Sequence, residues 1–165
     1  MKIDGSLIVT GGSSGIGKAV HDNAGQLFRP ENVLNIDVRA TMPIDVRDFA
    51  SVDAAIKSTV IPGQRNYLFS AAGVVFFTKE DHVVDFIDAS IEQLRAMVEI
   101  NFLGTINVLK SFISAVYEHE ETTGNIVVVS SISSFFSGGP NMVVYDATKA
   151  AISAICKRLV PYRNI

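Results

Sequence analysis

The chain has 165 residues, 48% of them hydrophobic and 19% charged, which fits one globular domain with a single buried core and excludes a disordered chain. A net charge of −3 and the lack of a dense Lys/Arg run exclude a nucleic-acid surface. No apolar run approaches bilayer length, Met1-Lys2-Ile3-Asp4-Gly5 lacks the features of a signal peptide, and the single Cys156 excludes a disulfide or a cysteine-based zinc site, so a cytoplasmic protein is expected.

Along the chain, short apolar runs alternate with amphipathic segments, the pattern of βαβ units and a parallel sheet. Leu7-Ile8-Val9 reads as a buried first strand, followed by Thr10-Gly11-Gly12-Ser13-Ser14-Gly15-Ile16-Gly17. A helix starting near Gly15 is expected to turn Ile16, Ala19, Val20, Ala24 and Leu27 towards a core. Val33-Leu34-Asn35-Ile36-Asp37 is the second strand, and Pro43-Ile44-Asp45-Val46 reads as a very short third one with no room for a helix between them. A helix from about Phe49 to Val60 leads to a strand at Tyr67-Leu68-Phe69-Ser70. Ser90 and Gln93 have capping-box spacing at the start of the longest helix, where Ile91, Leu94, Val98, Phe102, Thr105, Leu109, Phe112 and Val116 recur at helical intervals. Ile126-Val127-Val128-Val129 is a further buried strand, and a last helix runs from about Tyr145 towards Leu159.

The turn after the first strand has the chemistry of a phosphate cradle. Glycines at Gly11, Gly15 and Gly17 let a ligand approach the backbone, and the helix N-terminus presents free N–H groups. Ser13 and Ser14 add hydroxyls; the alternative is a Gly/Ser turn without a ligand. Asp37 lies 20 residues after Gly17, where an acid can bond an adenosine ribose 2′-OH and repel a 2′-phosphate. That favours NAD, while Arg39 keeps NADP open. Asp45 and Val46 are placed to hold the adenine edge, and Ala71, Ala72 and Gly73 let a cofactor lie against the chain.

Tyr145 and Lys149 stand four residues apart, on one helix face. A lysine beside a phenol favours the phenolate and brings the tyrosine proton towards the working pH range. The spacing alone is also that of an ordinary solvated pair. His21, His82 and His119 show no ligand spacing, and Cys156 reads as a packing residue. Phe135, Phe136, Met142 and Val143 read equally as a substrate wall or as loop packing.

Together these segments resemble the short-chain dehydrogenase/reductase family in its single-domain, non-extended form. The turn at 10–17 is similar to its cofactor signature, and Ala71-Ala72-Gly73 to its Asn-Ala-Gly element. Ile100-Asn101-Phe102-Leu103-Gly104 resembles the segment with the proton-relay asparagine, and Val129-Ser130-Ser131 the strand end with the catalytic serine. Tyr145 and Lys149 match its Tyr-x-x-x-Lys pair. The resemblance implies a Rossmann-like doubly wound parallel sheet in three α/β/α layers, residues 1–165 forming one dinucleotide-binding domain. It implies hydride transfer between nicotinamide C4 and an alcohol or carbonyl substrate, with Tyr145 as general acid/base and Lys149 on the nicotinamide ribose. Ser131 would hold the substrate oxygen, with Ser133 as second candidate, and Asn101 would anchor a relay water. No metal is implied. A homodimer or homotetramer through the two long helices is expected, with neither nucleic acid nor membrane as partner. Family members continue past Lys149 with further strands, so the domain is expected to be incomplete at its C-terminus. The alternatives are a sugar-nucleotide epimerase or dehydratase and a catalytically silent dinucleotide-binding protein.

Overall fold

A computed structural model describes residues 2–136, 139 and 141–159. Four strands, β1 (Leu7–Thr10), β2 (Val33–Ile36), β3 (Arg65–Ser70) and β4 (Thr123–Val128), form one parallel sheet in the order β2-β1-β3-β4. β1 pairs with β2 from Leu7↔Val33 to Thr10↔Ile36 and with β3 from Leu7↔Tyr67 to Thr10↔Ser70. The carboxyl ends of three strands are therefore level.

Alternation along the strands builds the layers. Ile8, Ile36 and Leu68 point to one face, where they pack with α2 (Phe49–Thr59) and α4 (Thr105–Tyr117). Leu7, Val9, Tyr67 and Phe69 point to the other, against α1 (Gly15–Ala24) and Phe28. The Phe28 and Tyr67 rings meet edge to face with centroids 5.4 Å apart. The three-layer α/β/α arrangement is as expected.

Three expectations need correction, the first two at the level of single elements. Residues 43–46 form no strand; Pro43 has no N–H for a ladder, and Ile44 N instead bonds Asp37 O at 3.2 Å. In α1 the core-facing set is Gly17, Val20 and Ala24, with Phe28 beyond the helix end. Ile16, Ala19 and Leu27 are exposed, because the helix is rotated by one position and stops at Ala24.

The capping box at Ser90 is present: Gln93 N donates to Ser90 Oγ at 3.2 Å and Ser90 N to Gln93 Oε1 at 2.9 Å. It starts α3 (Ile91–Met97), which runs through a π-helical segment, Val98–Gly104, directly into α4. The whole helix Ile91–Tyr117 is long and apolar enough to cross a bilayer by composition, contrary to the expectation that nothing approaches that length. Its Val108, Leu109, Phe112, Ala115 and Val116 are spent instead on the sheet and on α2. α5 (Val143–Leu159) packs against the π segment and buries Thr148, Lys149 and Ile152.

Candidate active site

The level strand ends open onto a groove of about 620 Å³, where open α/β sheets take ligands. Its wall includes the turn at Gly11, Gly15, Ile16 and Gly17, then Asp37, and the far end reaches Tyr145 and Lys149. Residues predicted from five separate stretches of sequence, 11–17, 37, 45–46, 71–73 and 145–149, thus meet in one groove. Ile16, exposed to solvent rather than buried in the core, lines it.

The first wall is held by hydrogen bonds that the motif alone does not reveal. Thr10 is fully buried, and its Oγ1 accepts from Ala71 N and Ala72 N, both at 3.0 Å. Gly11 has φ +71°, and a Cβ there would fall 2.9 Å from Ala72 N, so the ledge needs glycine. Asn35 Oδ1 accepts from Gly12 N at 3.1 Å and Asn35 Nδ2 donates to Ser13 Oγ at 3.4 Å, which fixes the turn to β2.

Asp37 follows β2 and is mostly buried. Its Oδ2 accepts from Ser13 N at 3.1 Å and its Oδ1 from Arg39 N at 2.8 Å. The Arg39 guanidinium donates to Ser14 Oγ at 2.6 Å and lies 3.6 Å from Asp37 Oδ1. An acid and a cation therefore share the edge predicted to meet the ribose. Asp45 also lines the groove, with its carboxylate gripped by Arg47 through Nε and Nη2 at 2.6–3.0 Å. Those bonds hold the Asp45 carboxyl below its usual pKa, against the opposing effect of burial. Arg47 carried no signal in the sequence reading.

At the other end Lys149 is buried, and its Nζ donates to Val129 O at 3.0 Å and lies 5.6 Å from the Tyr145 ring centroid. Burial lowers its pKa. Gly73 sits beside it: a Cβ there would lie 3.5 Å from Lys149 Nζ and 3.4 Å from Asn101 Oδ1. Asn101, fully buried in the π segment, accepts from Val74 N at 2.7 Å and donates to Val74 O at 2.9 Å. Its side chain thus clamps the chain after Gly73. Its backbone carbonyl accepts from Thr105 Oγ1 at 2.7 Å.

Ser131 lies three residues past the end of β4, not directly on it. It does not line the groove; its Oγ accepts from Ser133 N at 3.1 Å and caps the 3₁₀ turn Ile132–Ser134. Among the described residues its own O–H meets no acceptor. The alternative Ser133 also lies off the groove wall. Ser130 was given no role of its own in the sequence, yet its Oγ bonds Ser134 Oγ at 2.6 Å, Ser153 Oγ at 2.7 Å and Lys149 O at 3.0 Å. It ties the serine turn to α5. Phe135 and Phe136 are exposed and line no part of the groove; Phe135 packs beneath Lys157. Val143 contributes instead to a small apolar pocket with Val75, Phe76 and Met97, and Val75 joins that pocket to the groove.

Known proteins resemble this chain in sequence and in fold. The sequence model of the short chain dehydrogenase family matches residues 32–161. An uncharacterized oxidoreductase of Staphylococcus epidermidis is 30% identical over 92% of this chain and 68% of its own length. The oxidoreductase UcpA of Salmonella typhimurium is 28% identical over 93% of this chain and 62% of its own. Among solved structures, ligand-free aldohexose dehydrogenase of Thermoplasma acidophilum superposes with TM-score 0.76 at 21% identity, covering 97% of this chain and 62% of that one. A short chain dehydrogenase of Burkholderia cenocepacia in complex with NADP gives TM-score 0.76 at 22% identity, over 99% and 70%. The chain therefore spans about two thirds of the length of such relatives.

Proposed function

Since the chain belongs to the short-chain dehydrogenase family, we propose that it binds a nicotinamide dinucleotide in the groove and serves an oxidoreductase acting on an alcohol or carbonyl compound. The observation that carries this reading is the convergence of the glycine turn, Asp37 and Gly73 with Tyr145 and Lys149 on one groove. The residues fit such a cofactor: the α1 N-terminus presents backbone N–H groups to a diphosphate, and the ledge at 71–73 has only small side chains. When bound, the nicotinamide accepts or donates the hydride at C4.

The protein's part is orientation and proton movement. Tyr145 Oη takes the alcohol proton in oxidation and returns it in reduction. Lys149 places a cation beside that phenol and a donor towards the ribose. The family resemblance assigns Ser131, although it lies off the groove wall, to the substrate oxygen, and the Asn101 carbonyl to a water that connects Lys149 to solvent. Asp37 supports NAD as the cofactor. The Arg39–Ser14 contact supports NADP as a second reading, because a guanidinium and a hydroxyl suit a 2′-phosphate. We place the protein in the cytoplasm as a homodimer or homotetramer; exposed Ile91, Val98, Leu103 and Tyr117 on the long helix support self-association.

The test is a panel of alcohols and carbonyls with NAD and NADP, paired with a Tyr145→Phe variant. Turnover should fall by about 10²-fold or more, the scale of a lost general acid–base group, while NADH binding measured by fluorescence is retained. Unchanged turnover in that variant would sink the mechanism.

A further inference from the structure

The wall of the groove at 44–47 has an unusual means of support. In a strand its carbonyls would be held by a ladder, but this segment is not in the sheet, and Ile44 N bonds Asp37 O, one residue past the end of β2. The carbonyls of Val46 and Arg47 instead accept from one side chain, Asn107 Nδ2 on α4, at 2.9 and 3.4 Å. Two further contacts come from the adjoining π segment. Gly104 lies so close to Val46 that a Cβ would fall 2.5 Å from Val46 Cγ2, and Glu99 lies 3.7 Å from Arg47 Nη1. The Glu99–Arg47 pair is about half exposed on both sides, and exposed ion pairs contribute little. The part-buried amide bond and the close Gly104–Val46 packing therefore carry the attachment.

Val46 and Ile100 offer a flat ring an apolar surface beside the Asp45 carboxylate, which accepts hydrogen bonds. That is the chemistry of an adenine, with two faces for apolar contact and an exocyclic amine to donate. We propose that Asn107, with Gly104 against Val46, is a positioning residue that sets this wall and so the affinity for the adenine half of the nucleotide; this rests on the cofactor reading above. The same continuous helix carries Asn101 in its π segment, so both ends of the groove lean on one support. Asn107 is 61 residues from Val46 in sequence, and its place in the apolar periodicity of the long helix gave no hint of this role.

Calorimetric titration of the whole chain with 5′-AMP and, separately, with nicotinamide mononucleotide tests the proposal. Asn107→Ala should weaken 5′-AMP about tenfold and leave nicotinamide mononucleotide unchanged. Gly104→Ala should act in the same direction, because its methyl pushes the stiff Val46 side chain into the groove. Asn107→Gln, which keeps the amide donor, should retain more affinity than Asn107→Ala. With any alcohol the wild-type protein oxidises, cofactor KM should rise in Asn107→Ala while kcat holds. Wild-type 5′-AMP affinity in both Asn107→Ala and Gly104→Ala overturns the positioning role, as does an equal loss for both mononucleotides. A wild-type protein that binds neither 5′-AMP nor NADH overturns the cofactor reading with it, whereas one that binds both but ignores the substitutions overturns the positioning role alone.

Discussion

Lys149 joins a structural cost to a chemical use. Only 4% exposed, it has one hydrogen bond from Nζ among the described residues, to Val129 O, and its pKa is lowered from 10.5 by desolvation. The native chain therefore binds this proton less tightly than the unfolded chain. Stability rises with pH between the native pKa and 10.5, and below the native pKa the penalty is fully present. Lys149→Met removes the buried charge. Its melting temperature relative to wild type should be most favourable at neutral pH and should lose that advantage as pH approaches 10.5, while turnover disappears. Melts across that range check this, and a pH-independent difference contradicts it. The lysine was legible in the sequence because it sits at a fixed offset from Tyr145 on one helix. Thr10, Asn35, Ser130 and Asn107 were not, because each works through a partner that is distant in sequence. Thr10, for instance, meets Ala71 across 61 residues. No local spacing encodes such a bond.

The long helix shows what element-scale patterns reveal and what they hide. Its apolar periodicity and capping box located it, but the π segment at Val98–Gly104 left no trace in that periodicity. A π turn shifts the following residues around the axis, and such turns concentrate at functional sites. Here it places Asn101 on Val74 and Gly104 on Val46. The expected strand at 43–46 failed for a related reason. Its alternating apolar pattern was real, since Ile44 and Val46 both pack into the core cluster, but α4 rather than a neighbouring strand holds its backbone. One position in α4 is suboptimal. Ser111 is 1% exposed, and its Oγ has no hydrogen-bond partner among the described residues. Ser111→Ala removes an unpaired buried hydroxyl and improves helix propensity. It should stabilise the protein by about 1 kcal/mol, read as a higher denaturation midpoint with an unchanged slope in urea.

At the scale of the molecule, the layer order was the most legible property. β1, buried on both faces, reads as a continuous apolar run, and the helices between the strands read as amphipathic, so the α/β class follows from pattern alone. The level strand ends were not readable, because register depends on pairings such as Thr10↔Ser70 that bridge distant segments. The same pairing has a consequence in time. Half of the ledge comes from residue 11 and half from residues 71–73, joined by the Thr10 bonds to Ala71 and Ala72. Helices close fast on local contacts, whereas a parallel pair this far apart must first close a long loop. The ledge is therefore finished late, and the nucleotide cannot act as a template for its own site. During refolding from urea, recovery of NADH fluorescence should lag the recovery of helical circular dichroism, and a larger NADH concentration should not shorten the lag.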